Sequence, residues 1–230
     1  MDKLVIALAA GLCLCGCAGP AAGPDHDPYE QTNRQVFSFN QRLDRFALRP
    51  AAERYVKYVP EGVRNSIHNA LDNLNAPTVL GNDLLQGRPK EAGRTVGRFL
   101  LNSTFGVAGL FDVGTRVGIE GHRSDFGQTL AVWGVGEGCY LMVPMLGPMS
   151  PRDAAGQIVD FAMDPTIYMQ IKGHYYWIVG REYLSIVDAR ARNLEALDEI
   201  ERDSMDFYAA TRSLYRQYRE NAIRNETPSP

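Results

Sequence analysis

The stretch DFGQTLAVWGVGEGCYLMVPMLGPMSPR, Asp125 to Arg152, holds one charged side chain between its two ends, Glu137. That is too apolar for a surface loop. Gly134, Gly136, Gly138 and Gly147, with Pro144 and Pro148, also break any continuous helix and exclude a simple membrane-spanning one. Either protein or lipid has to cover such a segment. Upstream, FLLNSTFGVAGLF (Phe99 to Phe111) carries no charge and is again punctuated, by Gly106 and Gly109. These two segments are the candidates for the functional surface.

Working outward to the start of the chain, Leu4 to Leu14 is an apolar run behind Lys3, too short to cross a bilayer and followed by small residues, as in a secretory signal. It ends in Leu14-Cys15-Gly16-Cys17, a lipobox-like pattern in which Cys17 is the expected acylated residue. An ordinary cleaved signal with incidental cysteines is the alternative. Residues 1–16 are thus expected to be a lipoprotein signal peptide, and 17–27 the acylated cysteine with a flexible, proline-bearing tether. Cys139 is then the single remaining thiol, so no disulfide framework is possible, and its apolar neighbours predict a small hydrophobe kept out of water.

The 230 residues leave one helical domain, expected over 28–221, with 222–230 as a disordered tail. A net charge of −3 with both signs dispersed gives no nucleic-acid footprint. Asp27-Pro28-Tyr29-Glu30 reads as a helix start, and Val36, Phe39, Leu43 and Phe46 recur at helical spacing until Arg49-Pro50 ends that helix. Pro50 and Pro60 predict two further helices, Pro77 to Gln86 a short fourth stopped by Gly87, and Pro89 a fifth. On the fifth, Lys90, Arg94 and Arg98 form a basic stripe, read either as a solvated face or as a site for phospholipid headgroups. Gly93 and Gly97 permit close helix approach on it.

Ser150-Pro151 predicts another helix start, with Pro165 as its stop. The aromatic stretch Thr166 to Val179 is expected in the core, with an interfacial rim as the alternative. Leu184 to Asn221 predicts one or two surface helices. Strand signals are sparse, the best being Tyr140 to Val143, so the fold class is all-α.

The residues suggest no catalytic set, cofactor or metal. His26, His68, His122 and His174 share no ligand spacing, and no HExxH, G-x-S-x-G or Walker pattern occurs. Ser103, His122 and Asp125 can be written as a triad, but Ser103 reads better as a helix end.

Several blocks in this order resemble the MlaA (VacJ) family of outer-membrane lipoproteins: DPYEQTNRQVFSFNQRLD from Asp27, GNDLLQG from Gly81, RFLLNSTFGVAGLFDVG from Arg98, DFGQTLAVWGVGEGCYLMVPMLGP from Asp125 and SMDFYAATRSLYRQYR from Ser204. The resemblance implies a ring-like helical protein with an amphipathic channel, sunk in the inner leaflet of the outer membrane on its periplasmic side. Its implied partners are phospholipid, a trimeric porin and a soluble periplasmic lipid carrier, and its implied task is removal of mislocalised phospholipid to keep the membrane asymmetric. By analogy, Ala18 behind the anchor goes with outer-membrane export. Phe105, Val107, Leu110, Phe111, Trp133, Leu141 and Val143 are the expected lipid contacts, and Lys90, Arg94 and Arg98 the expected headgroup contacts. A lipid hydrolase and a purely structural lipoprotein are the rival classes.

Overall fold

A computed structural model describes residues 27–170 and 172–224, so the signal, Cys17, most of the tether and the tail from 225 onward lie outside the described residues. The chain forms α1 (Glu30–Leu43), a π-helical segment (Asp44–Leu48), α2 (Arg49–Tyr58), α3 (Glu61–Leu85), α4 (Pro89–Thr104), α5 (Val113–Arg116), α6 (Phe126–Val132), β1 (Leu141–Val143), β2 (Gly147–Met149), α7 (Pro151–Met163), a 3-10 turn (Pro165–Tyr168), α8 (His174–Arg192), α9 (Leu194–Asp203) and α10 (Phe207–Arg224). The all-α class holds. The strand signal at Tyr140 to Val143 becomes one arm of an antiparallel hairpin, with Leu141 opposite Met149 and Val143 opposite Gly147.

Several expected boundaries move. The first helix does not stop at Arg49-Pro50. Pro50 has no N–H for the Phe46 carbonyl, and the chain widens into a π segment, with the Arg49 N–H reaching the Asp44 carbonyl, before resuming as α2. Nor does Pro77 open a fourth helix, since α3 runs through it and ends at Gly87, whose φ is +70°. Only the Asn73 carbonyl loses a helical partner, and packing of the flanking turns outweighs that loss. The C-terminal region forms three helices instead of one or two, and α10 continues to Arg224, into the expected tail. Gly97 has Ile119 Cδ1 3.6 Å from where a Cβ would sit, whereas Gly93 faces open space and makes no close approach.

Packing closes on itself. Contacts run from α1 to β1, from β2 to α10, from α10 to α6, from α6 and α7 to α3, from α3 to α8, from α8 to α2, and through the π segment back to α1. Most joints of this circuit carry a polar tie. Asn33 and Asn40, two turns apart on α1, clip the hairpin: Asn33 Nδ2 donates to the Tyr140 carbonyl (3.1 Å) and its Oδ1 accepts from Met142 N–H (2.9 Å). Asn40 does the same for the Val143 carbonyl and Met145 N–H. Arg219 on α10 bridges Asp125 and Asp153 at 2.6 and 2.7 Å, Asn82 on α3 donates to Asp160 on α7, and Asp188 on α8 takes Tyr55 of α2 and His68 of α3. Arg190 on α8 holds Asp44 of the π segment.

The apolar core is small. Tyr140, Met142 and Tyr208 are buried with Val36, Phe37 and Tyr215 against them, and Tyr208 stands edge-on to both Phe37 and Tyr140. Among the described residues the buried side chains are more often polar or charged than apolar, while many large apolar ones are exposed. A globule in water has the opposite arrangement.

Candidate functional site

The apolar surface is built from two turns on a polar base. After α4 the chain reverses through Val107, Ala108 and Gly109, all left-handed with φ of 54°, 57° and 91°. Non-glycine residues adopt that region at a cost. Helix-end bonds hold the turn, from Ala108 N–H to the Ser103 carbonyl and from Gly109 N–H to the Asn102 carbonyl. A Cβ on Gly109 would sit 2.6 Å from Asn73, so the glycine allows the turn to lie directly on α3. The result turns Phe105, Val107, Leu110 and Phe111 outward, with Phe105 75% exposed.

Beneath this apolar tip lie amides and charges. Asn73 donates to Ser103, Asn102 both donates to Asp112 and accepts from Gly114 N–H, and Arg98 reaches Asp112, Thr115 and the Ile119 carbonyl. Arg98 is therefore spent on tying α4 to α5 and the loop after it. Arg94 is exposed and pairs with Glu91 one turn away, and Lys90 is exposed.

The second limb is α6. Asp125 caps it through Gln128 N–H, and Gly156 of α7 passes so close that a Cβ there would lie 2.4 Å from Gly127 N. Its inner face is a hydrogen-bonded set in which Gln86 donates to Ser124 and Thr129, and Thr129 donates to Asn82. Its C-terminal end and the turn beyond it carry Val132, Trp133 and Val135, all exposed, with Trp133 Nε1 donating to the Leu85 carbonyl. Burial pushes the Asp125 carboxyl up, but the bonds and charge of Arg219 outweigh it and the group lies below the usual carboxylate range. Asp160, accepting from Phe126 N–H and Asn82, goes the other way: burial dominates and raises it.

Of the expected lipid contacts, Phe105, Val107, Leu110, Phe111 and Trp133 are exposed, while Leu141 and Val143 flank the buried Met142 and are only half-buried. The hairpin instead presents its tip, Met145 and Leu146, at 72% and 62% exposure. The aromatic stretch is not core. Tyr168, Tyr175, Tyr176 and Trp177 are exposed, because Thr166 is the buried residue of the 3-10 turn and Val187, Asp188 and Ala191 carry the packing of α8. Cys139 is half-buried, less withdrawn than its neighbours suggest.

No triad forms among Ser103, His122 and Asp125. Ser103 accepts from Asn73, His122 faces Asp83 at 2.9 Å, and Asp125 is bound by Arg219. Among the described residues no cluster of histidine, cysteine and carboxylate side chains suits a metal, and no helix is long and apolar enough to cross a membrane. The polar base was missed by sequence reading. Its signal was the recurrence of Asn and Gln at helical spacing, as in Asn33 with Asn40 and Asn82 with Gln86.

A helical domain with a polar interior and exposed apolar turns is that of a protein whose surface a membrane or another protein covers. The chain belongs to the MlaA lipoprotein family, whose model matches residues 25–222. It is 34% identical over 228 residues to the intermembrane phospholipid transport system lipoprotein MlaA of Escherichia coli, covering 94% of this chain and 87% of that one. The protein of the same name from Haemophilus influenzae is 32% identical over 222 residues, covering 93% and 87%. An uncharacterized protein of Rickettsia prowazekii is 34% identical over 199 residues, 86% of this chain and 78% of its own. A solved structure described under "Structural basis for maintenance of bacterial outer membrane lipid asymmetry" superposes with a TM-score of 0.77 at 32% identity, covering 86% of this chain and 99% of that one.

Proposed function

We propose that this chain is an outer-membrane lipoprotein, anchored at Cys17 on the periplasmic side, that withdraws mislocalised phospholipids from the outer leaflet and passes them to a soluble periplasmic carrier, so maintaining lipid asymmetry. The observation that carries the reading is the inverted polarity, with Phe105, Val107, Leu110, Phe111 and Trp133 outside an interior of amides and ion pairs. Such a surface is covered by acyl chains at little further cost in buried polar groups, since most of the base beneath it is already hydrogen-bonded. The names of the relatives from E. coli and H. influenzae, intermembrane phospholipid transport system lipoproteins, support the substrate class.

In this reading the closed circuit of helices is a ring about an amphipathic path. Tails travel along apolar side chains such as Leu141 and Val143, and headgroups are handed along polar ones, of which Lys90 and Arg94 remain available while Arg98 is tied to Asp112, Thr115 and the Ile119 carbonyl. No bond is made or broken, so the protein is not an enzyme. A trimeric porin is the proposed partner that holds the ring in the inner leaflet.

The test is reconstitution in liposomes with labelled phospholipid and an acceptor carrier, following transfer and product together. Protein-dependent movement of intact lipid is the expected outcome. Cleaved lipid at catalytic turnover would replace transport with hydrolysis, and no transfer at all would leave a structural role.

A further inference from the structure

A shallow, open cleft of about 400 Å³ lies where the π segment, α2 and α9 meet, away from the two apolar turns, and is lined by Arg45, Arg49, Asp198, Glu201 and Arg202. Both signs of charge line it. Arg45 pairs with Glu201, Arg49 with Asp198 and Glu53, and Arg202 with Asp203. The side chains of the Arg45 pair are 58% and 31% exposed and those of the Arg202 pair 73% and 64% exposed. Exposed pairs of this kind hold little and exchange readily for a better partner.

The cavity wall has capacity to spare. Asp198 Oδ1 and Arg190 Nη1 are buried without a short hydrogen bond, the oxygen being held by a loose ion pair to Arg190 Nη2 at 3.7 Å. Buried polar atoms without partners are uncommon and ask for a ligand or water. The cavity also sits on a π segment, a helical defect frequent at functional sites, and that segment carries Phe46, 85% exposed, directly after Arg45.

We propose that this cleft binds a zwitterionic phosphodiester headgroup of the phosphoethanolamine class, its phosphate on Arg45 and Arg202 and its ammonium on Glu201 and Asp198. The pairing is an exchange of ions. A phosphate that takes Arg45 from Glu201 strands the carboxylate, and an ammonium on the same ligand satisfies it. A plain phosphate or a phosphoglycerol headgroup offers no such compensation, so the site discriminates between headgroups of the same size. Phe46 gives the acyl end an apolar neighbour. The choice of ligand rests on the phospholipid reading above.

The experiment titrates the full chain in nanodiscs, observing arginine Nε–H signals, with four probes below their micellar limits: dihexanoylphosphatidylethanolamine, dihexanoylphosphatidylglycerol, glycerophosphoethanolamine and inorganic phosphate. The ethanolamine lipid is expected to move the Arg45 and Arg202 signals and to bind more tightly than the glycerol lipid. Arg45→Gln with Arg202→Gln should weaken it about tenfold while thermal unfolding stays in place. Tighter binding of the lipid than of glycerophosphoethanolamine assigns the site to a membrane lipid. Equal binding of those two keeps the site and assigns it to a soluble phosphodiester. Equal binding of the ethanolamine and glycerol lipids, equal binding of inorganic phosphate, or an unaffected double variant would overturn the proposal. Liposome transfer run in parallel separates the two readings, because loss of transport in the native protein leaves the titration to stand or fall alone.

Discussion

Two uncharged stretches of this chain meet different fates. Tyr140, Met142 and Met149 of the hairpin are buried, and Phe105, Val107, Leu110 and Phe111 of the turn after α4 are exposed. Composition does not separate them, since neither 105–111 nor 140–149 contains a charged residue. What differs is the surface each is laid on. The hairpin meets apolar faces of α1 and α10, which supply Val36, Phe37, Tyr208 and Tyr215. The turn closes its own backbone bonds on the end of α4 and lies on amides, Asn73 donating to the Ser103 hydroxyl and Asn102 accepting from Gly114 N–H, so its apolar side chains point away. Both stretches touch amides, Asn33 and Asn40 under the hairpin, but only the hairpin also has apolar side chains against it, and it becomes core.

Breaking the buried side should show this first. Tyr208→Ala removes a buried ring that contacts Phe37 and Tyr140 and whose hydroxyl donates to Asp27. We expect a loss of about 3–5 kcal/mol, read from the urea midpoint in detergent. A midpoint within error of the native one would mean that the hairpin does not pack as core. Asn33→Ala strikes the same joint through hydrogen bonds alone, leaving the Tyr140 carbonyl and Met142 N–H buried and unpaired. The expected cost is about 1–3 kcal/mol, with Asn40→Ala smaller because Met145 is exposed.

Acid should open the circuit at its ionic joints. Asp206 is lowered to about 2 by its hydrogen bonds to Arg34. Asp125 and Asp188 are lowered as well, because Arg219 in one case and His68 with Arg192 in the other outweigh the upward push of burial. A carboxylate held lower in the folded state stabilises it above its unfolded pKa of about 4, and the contribution disappears as pH falls from there toward about 2. Asp160, raised by burial, works in the opposite sense and offsets part of the loss. The unfolding midpoint should therefore fall between pH 4 and 2, and Asp206→Asn should flatten part of that slope. A midpoint independent of pH in this window would remove these pairs from the stability of the ring.

Much of the fold was legible because its helix starts are written in local chemistry. Ser150-Pro151 and Pro89 open helices where the sequence places them, and Gly87 ends one. Pro50 stands in the first turn of α2 as expected, although the chain stays helical into it, whereas Pro77 misled, since a single lost hydrogen bond is tolerated inside a longer helix. The two apolar segments were legible as surfaces needing cover, but the distinction between lipid and protein cover depends on residues 30 to 107 positions away, such as Asn73, Asn33 and Tyr208. The same holds for the aromatic stretch, whose period suits a core and whose side chains are exposed because α8 packs by a different face.

The smallest effect on folding is expected on the exposed side, and it sharpens the contrast most. Phe105 is 75% exposed and Leu110 39% exposed, so Phe105→Asp or Leu110→Asp should move the detergent unfolding midpoint by no more than about 0.5 kcal/mol. In a bilayer the same change places a carboxylate among acyl chains, at a cost of about 2–3 kcal/mol, equivalent to a drop in partitioning of about 30- to 150-fold. Vesicle flotation of the unacylated domain isolates this term, because a lipid chain at Cys17 would mask it. Tyr208→Ala should give the reverse pattern, unfolding the protein without any specific loss of lipid affinity while folded molecules remain. If Phe105→Asp instead unfolds the domain in detergent and leaves flotation of the folded fraction unchanged, the turn is covered by protein. The two uncharged stretches would then differ in which partner buries them and not in whether they are buried.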